Sequence, residues 1–411
     1  MRIWAFPSFY PFEYPGLNWN GIFAHRQYKG LIENGADLQV IYPVLWNPPY
    51  PISKLHPEWD RFQKISFPKK RIYDGINVNQ PRIANFRPNR LVRKTYQERY
   101  VDAIINFFHS NNISLNPHTD IFYSQWIHDS ATVQIAAQKL GVKSAILGIG
   151  DDVVILPYSN DQNLKLFLKT WNEADLRFVC ADYLGKKANE INNKKLDYNV
   201  VRWGVDYDFL KPVNNNIKEE LRKAHGIASE KIVILNIGSA IIRKGWIDLF
   251  DALSEIKKYN NKFILVGVYA GPSELNLEDE AKKRGLSDNF MNMGEVPPQY
   301  LDKIYQISDI FCLPSHWEGM ANVNIEAMSC GLPVITTNVC GHPELISDGI
   351  NGILIPPKRP DILTEKLLLL INDKNLRETL GANAREFIVN KWGNFADNAK
   401  NLYEKLKSAC S

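Results

Sequence analysis

A chain of 411 residues is long enough for two or three domains. With 45% hydrophobic and 23% charged residues, its composition is that of a globular protein and excludes a disordered or fibrous one. A net charge of +4 is small, and with no nucleic-acid reading motif in the sequence, nucleic acid is not expected as a partner. No apolar run approaches the length that spans a bilayer. The opening MRIWAFPSFYPF reads as a first strand rather than a signal peptide. Cys180, Cys312, Cys330, Cys340 and Cys410 have neither paired nor metal-binding spacing, which predicts reduced thiols and a cytoplasmic setting.

In chain order, residues 2–6 and 38–43 (LQVIYP) read as parallel strands. Between them Ala24, Tyr28, Leu31 and Ile32 recur at helical spacing. Gly21, just before that helix, suits a backbone that must approach a ligand closely. Residues 45–95 read as an insertion rich in Pro, Asn and basic side chains. The basic excess of the first half lies largely between Arg61 and Arg99, with Lys69, Lys70, Arg71, Arg82, Arg87, Arg90, Arg93 and Lys94. Such a run is either a solvated face or a patch for an anionic membrane or a lipid-diphosphate acceptor. A helix over 91–110 and a strand over 120–124 should follow. Residues 124–153 then read strand end, helix, strand and a glycine turn at Ile149-Gly150-Asp151-Asp152. His128 reads as a surface or helix-cap residue. Leu176–Cys180 is a further buried strand. Asp206-Tyr207-Asp208 has the form of a metal-binding D-x-D, but it equally fits a turn and helix start. Asn214–Asn216 reads as a linker, with a short helix to Gly226 after it.

The second half opens on a continuous apolar strand at Ile232–Asn236, the pattern of a parallel sheet. Lys244 near the next helix start is unfavourable beside the helix dipole unless an anion lies between them. Further strands are expected at Phe263–Gly267 and Ile310–Leu313. The loop carrying His316, Trp317, Glu318 and Gly319 then leads into a helix from about Asn322, stopped by Gly331, and Pro333-Val-Ile opens another strand. Glu318 and Glu326 bracket that helix start, where free N–H groups and the dipole favour an anion. A nucleotide diphosphate sugar suits this arrangement, with the N–H groups of Met320 to Val323 toward the diphosphate and the two glutamates accepting from sugar and ribose hydroxyls. A capped strand–helix unit with two solvated acids is the plainer alternative. Helices are predicted over 362–371, 376–391 and about 394–407, and the alternation of strands and helices supports doubly wound α/β domains.

EGMANVNIEAMSCGLPVI (318–335) is similar to the signature of the family 4 retaining glycosyltransferases. VVRWGVDYDFLKP, IGSAIIRKGWIDLFDAL, MGEVPPQYLDKIYQISDIFCLPS and HPELISDGINGILIPP stand in that family's order. The resemblance is dense over the second half and loose over the first. It implies a GT-B fold, two doubly wound Rossmann-like domains facing a central cleft. The implied bounds are 1–213 (acceptor side), 214–391 (donor side) and 392–411 (a helix crossing back). It implies catalytic roles for Glu318, Lys244 and Asp152. Donor contacts would come from Gly21, Ser239, Arg243, Lys244, Val296, Gly319, Met320, Asn322, Val323 and Glu326. Two positions depart from the family pattern: Ser239 stands where an arginine is frequent, and Ile149 where a histidine touches the donor sugar. Glu344, His316 and His342 are secondary candidates. The implied activity is front-face transfer of a sugar from a nucleotide diphosphate donor to a glycan or lipid-linked acceptor, with retention, without a metal or other cofactor, in the cytoplasm or on the inner face of the membrane. A nucleotide-sugar epimerase and a non-catalytic nucleotide-sugar-binding partner are the rival readings.

Overall fold

A computed structural model describes residues 1–11, 21–46, 52–55, 68–84, 94–269, 271 and 273–410. The loop over 12–20 and much of the basic stretch, including Arg61, Arg87, Arg90 and Arg93, lie outside the described residues. So does the expected start of a helix at 91–93. The described helix runs Tyr96–Ser110 because Thr95 and Glu98 form a reciprocal capping box there.

The chain divides into two compact units, Met1–Arg202 with Phe395–Ser411, and Trp203–Asn394. The first junction therefore falls ahead of the expected 213, for a local reason. The Leu210 carbonyl accepts from Ser329 Oγ at 2.6 Å and from Arg385 at 3.1 Å. Trp392 Nε1 donates to the Trp203 carbonyl at 2.7 Å. Asn214 is not a linker residue: its side chain accepts from Ile217 N and caps the helix Asn215–Ala224.

In the first unit the strands are β1 (Arg2–Phe6), β2 (Asp37–Ile41), β3 (Val44–Trp46), β4 (Lys70–Tyr73), β5 (Ile76–Asn79), β6 (Arg82–Ala84), β7 (Asp120–Gln125), β8 (Lys143–Gly148), β9 (Leu176–Val179) and β10 (Asn199–Val200). Eight of them form one sheet in the order β10-β9-β8-β7-β1-β2-β5-β4, while β3 pairs with β6. All neighbours in the large sheet are parallel except β4 on β5. The strand order reverses between β1 and β7, whose carboxyl ends therefore flank a crevice. One face is filled by Trp4, Phe6, Ile41, Ile104, Phe108, Phe122 and Val133. The helix Phe395–Cys410 buries Ala399, Leu402 and Leu406 in this unit. Asn34 Nδ2 donates to the Ala396 carbonyl at 2.8 Å and ties it to the helix Ile22–Glu33.

The second unit holds β11 (Ile232–Ile237), β12 (Phe263–Val268), β13 (Phe290–Gly294), β14 (Ile310–Leu313), β15 (Val334–Thr337) and β16 (Ile353–Ile355). They lie parallel in the order β13-β12-β11-β14-β15-β16, the dinucleotide-fold order with its reversal between β11 and β14. These strands are apolar on both faces because helices cover both. Trp246, Leu249, Phe250 and Leu253 pack one covering helix onto Ile234, Leu265 and Cys312. Each such side chain contributes about 1.5–3 kcal/mol on burial. Asp309 sits just before β14. It accepts from Lys218 Nζ at 2.8 Å, Arg222 Nη2 at 2.5 Å and Val233 N at 2.8 Å. This ion cluster clamps the Asn215–Ala224 helix to the amino edge of the sheet. The chain after Lys374 runs as a helix to Phe387 and then a π turn at Ile388–Trp392, not one helix to 391.

Candidate functional site

The reversal between β11 and β14 is where an open α/β sheet leaves room for a ligand beyond its carboxyl ends. Two loops meet there. After β11 comes a 3₁₀ turn, Ile242–Lys244, then Gly245 and the helix Trp246–Lys257. After β14 comes Pro314–Ala321, then the helix Asn322–Ser329. His316 N donates to the Arg243 carbonyl at 2.7 Å. Gly245 has φ +73°, and a Cβ there would lie 2.0 Å from the Pro314 carbonyl oxygen. The glycine is thus required twice, by its left-handed backbone and by the close approach of the second loop. Thr336 and Thr337 hold that second loop from β15, donating to the Leu313 and Ser315 carbonyls at 2.7 and 2.6 Å. Gly341 N donates to the Gly319 carbonyl at 3.1 Å.

This scaffold brings Lys244 onto Glu318. Lys244 Nζ donates to Glu318 Oε1 in a close ion pair, and Ser315 Oγ donates to the same oxygen at 3.1 Å. Arg243 Nη1 stands 3.8 Å from Glu318 Oε2, with its guanidinium 4.2 Å from the centroid of the Trp317 ring. Glu318 is only 7% exposed. Burial pushes its carboxyl pKa up, but the charge and hydrogen bond of Lys244, with Arg243 beyond it, outweigh burial and hold it below the usual glutamate range. His342 is fully buried beside this pair. Its Nδ1 lies 2.9 Å from the Thr337 carbonyl, so Nδ1 carries the proton and Nε2 keeps a lone pair. That Nε2 has no hydrogen-bond partner among the described residues. Burial lowers the His342 pKa despite the nearby Glu318 carboxylate, so the ring stays neutral.

The helix Asn322–Ser329 begins at Ala321 with no side-chain cap. The amides of Asn322 and Val323 are among those that have no acceptor inside a helix, and the positive end of its dipole is left without a capping carboxylate. Met320 and Ala321 are buried around it. Glu326 lies one turn in, also buried, and takes a 2.8 Å hydrogen bond from Tyr305 Oη. The expected cluster of Arg243, Lys244, Glu318, Gly319, Met320, Asn322, Val323 and Glu326 therefore falls on two adjoining loops and one helix start. Ser239 lies at the end of β11, where its carbonyl accepts from Trp246 Nε1 at 3.0 Å. Val296 follows β13, and the Gly294 carbonyl there accepts from Tyr269 N at 3.0 Å. His316 is held by Asp248 at 2.6 Å, which ties the second loop to the helix Trp246–Lys257. Glu344 lies in the short helix His342–Leu345.

Three supporting side chains escaped the sequence reading: Tyr305, Ser315 and Asp248. Each acts through a residue singled out there, Glu326, Glu318 and His316 in turn. Trp317, expected in the loop, also lies against the Arg243 guanidinium. Tyr305 lies 21 positions before its partner, and no periodicity joins them.

In the first unit, Gly21 has φ +79° and opens the helix Ile22–Glu33. A Cβ there would lie 2.1 Å from the Phe9 carbonyl oxygen, so backbone contact alone demands glycine. Trp126 closes β7 at φ +64°, a strained conformation for a bulky residue beside the β1/β7 reversal. His128 follows it half-buried, with neither ring nitrogen partnered among the described residues. Asp152 is fully buried and accepts from the amides of Ile127 (2.9 Å), Ile149 (3.0 Å) and Gly150 (2.7 Å). It pins the β8 turn to the start of the helix Ile127–Leu140. Burial pushes its carboxyl pKa up to about 6, although the three amides pull the other way. Among the described residues no cluster of His, Cys, Asp and Glu has the form of a metal site, Asp206 and Asp208 included. No described helix is long and apolar enough to cross a membrane.

Two Rossmann-like units with these strand orders make up the GT-B fold. The fold is shared at TM-score 0.74 with Anabaena Alr3699/HepE, solved in complex with UDP-glucose, at 18% identity over 99% of this chain and 100% of that one. Residues 217–387 match the model of the glycosyl transferases group 1 family. An uncharacterized glycosyltransferase of Methanocaldococcus jannaschii, MJ1607, is 30% identical over 242 residues, 58% of this chain and 62% of that protein. The putative teichuronic acid biosynthesis glycosyltransferase TuaC of Bacillus subtilis is 24% identical over 369 residues, 89% of this chain and 88% of that protein.

Proposed function

We propose that this protein is a retaining glycosyltransferase that moves a sugar from a nucleotide diphosphate donor to a hydroxyl of a glycan or lipid-linked acceptor. The observation that carries the reading is the buried Lys244–Glu318 pair set beside the uncapped start of the helix Asn322–Ser329. The helix amides and Lys244 receive the diphosphate, and Arg243 adds a second positive charge. Glu318 orients the sugar, with the lone pair of His342 Nε2 close by, and Glu326, steadied by Tyr305, takes the ribose hydroxyls. The leaving diphosphate gains its negative charge against fixed cations and dipoles, so the reading assigns no step to a divalent ion. The acceptor proton passes to the leaving phosphate oxygen on the same face, which retains the anomeric configuration. TuaC, named for teichuronic acid biosynthesis, and HepE, crystallised with UDP-glucose, support a nucleotide-sugar donor and a role in building a polysaccharide or glycoconjugate. The five cysteines without paired spacing favour a reducing compartment, the cytoplasm or the inner face of the membrane, as its place of work.

The test is turnover of a panel of UDP-, GDP-, ADP- and dTDP-sugars with hydroxyl acceptors. Release of nucleoside diphosphate and the product's anomeric proton coupling are followed by NMR. Acceptor-dependent release with retention is expected, unchanged by EDTA. Isomerised sugar formed without acceptor would move the protein to the epimerases, and binding without turnover to the non-catalytic partners.

A further inference from the structure

The first unit contains a groove that the transfer site does not use. It lies between Lys69–Lys70 at the start of β4, the turn from β5 to β6, and the second half of the helix Tyr96–Ser110. Its volume is about 390 Å³, within the roughly 300–1,000 Å³ of small-molecule sites. Lys69, Lys70 and Arg82 line it, and no acidic side chain does so among the described residues. The helix end contributes about half a negative charge, which three cations outweigh. Arg82 is half-buried, and burial pulls its pKa down.

Exposed lysines alone would mean only a solvated face. Gln80 adds a different kind of observation. It lines the same groove, is 1% exposed, and neither its Oε1 nor its Nε2 has a hydrogen-bond partner among the described residues. Buried amides ordinarily find partners. This one brings a donor and an acceptor together next to three cations, and Asn106 and Ser110 on the helix add further hydroxyl-matching groups. A ligand that satisfies all of them carries an anionic group and adjacent hydroxyls on a body of one or two rings.

We propose that this groove is a binding site for a phosphorylated sugar, the phosphate meeting Lys69, Lys70 and Arg82 and the ring hydroxyls meeting Gln80 and Asn106. The site would be built from the first unit alone and does not depend on the transfer reaction.

The experiment is isothermal titration of the full chain with glucose 1-phosphate, glucose and inorganic phosphate. The comparison set is wild type, Gln80→Leu, Lys69→Gln/Lys70→Gln and Lys244→Met. Glucose 1-phosphate should bind saturably and at least tenfold more tightly than either fragment. The double lysine variant should weaken it about tenfold or more. Gln80→Leu should raise the melting temperature, because it removes a buried unpaired amide, and still weaken binding at least fivefold. Lys244→Met should leave this binding unchanged. The proposal is overturned if glucose 1-phosphate does not saturate, if Gln80→Leu binds it as wild type does, or if Lys244→Met alone abolishes binding, which would place the probe in the second unit. Co-sedimentation with phosphatidylglycerol vesicles gives the remaining arm. Sedimentation undiminished by Gln80→Leu, with no sugar phosphate binding, would mean an open basic surface and not a built site.

Discussion

Lys244 and Glu318 compensate each other at a place where neither charge is well hydrated. Their side chains are 15% and 10% exposed. Removing one partner of a buried pair strands the other charge and costs about 3–5 kcal/mol, more than the intact pair contributes. Lys244→Met should therefore lower stability by that order in urea denaturation, whereas Glu318→Gln, which keeps its shape, should cost less. Transfer rates should fall in Glu318→Gln by about 10²–10³, the loss typical of deleting one preorganised polar group at a reacting centre. The pH dependence has a definite sign. The folded pKa of Glu318 is depressed, so its pairing stabilises fully above the ordinary glutamate value and is lost as pH falls through the lower folded value. The melting-temperature gap between wild type and Glu318→Gln should hold steady above about pH 5 and shrink progressively below pH 4.5. Gly245 makes a sharper steric case. Gly245→Ala combines a left-handed backbone with a 2.0 Å approach to the Pro314 carbonyl and should cost roughly 2–4 kcal/mol, displacing Lys244 with it. Gly349 has φ +72° and nothing within 4 Å, so Gly349→Ala isolates the backbone component, about 1 kcal/mol. Paired denaturation curves measure the difference.

At the scale of elements, the helix Asn322–Ser329 is held below the stability it could have. Its first residue follows Ala321, which offers no side-chain oxygen to the free amides. Ala321→Ser should supply a cap and stabilise the protein by about 0.5–1 kcal/mol. The same oxygen would occupy an amide assigned to the diphosphate, so donor affinity should fall severalfold while the melting temperature rises. A rise in both would remove the helix start from the donor site. The sequence carried this element well. Val323, Ala327 and Cys330 at helical spacing, Gly331 after them and the apolar run before Pro314 set its bounds, because periodicity and punctuation are local signals. What it did not carry were the contacts that aim the side chains. Tyr305 reaches Glu326 from a separate helix, and the lone pair of His342 is fixed by a carbonyl of β15. Spacing along a chain says nothing about such pairs. Asp152 is the opposite case. The motif reading gave it a catalytic role, and the structure gives its carboxylate three backbone amides to hold, a task that a turn sequence does not announce. Asn214 looked like linker by composition and is a cap, since asparagine serves both uses.

For the whole molecule, the alternation of strands and helices made two doubly wound units readable, and the reversal points then followed from strand order. The junction at Arg202 was less legible. Residues 203–213 contain no break in composition, and they join the second unit through contacts distant in sequence, among them Trp392 on Trp203, Ser329 and Arg385 on Leu210, and Gln306 on Lys211. Each unit has its own apolar core, so each is a candidate for independent cooperative melting. This division makes ligand binding assignable in scanning calorimetry. A nucleotide sugar at about 100 times its dissociation constant adds roughly 2.7 kcal/mol to the state that binds it. For a unit of the second one's size, that is about 5–10 °C. One member of a UDP-, GDP-, ADP- and dTDP-sugar panel should move the transition of the second unit by this amount, and Glu326→Ala should abolish most of the shift. Glu326 accepts from Tyr305, so Tyr305→Phe provides the companion variant. It leaves the carboxylate in place but unsteadied, and should weaken the shift without removing it. A panel that moves no transition in wild type would withdraw the donor site at the β11/β14 reversal. A shift equal in wild type and Glu326→Ala would keep a donor site but take the ribose contact away from Glu326.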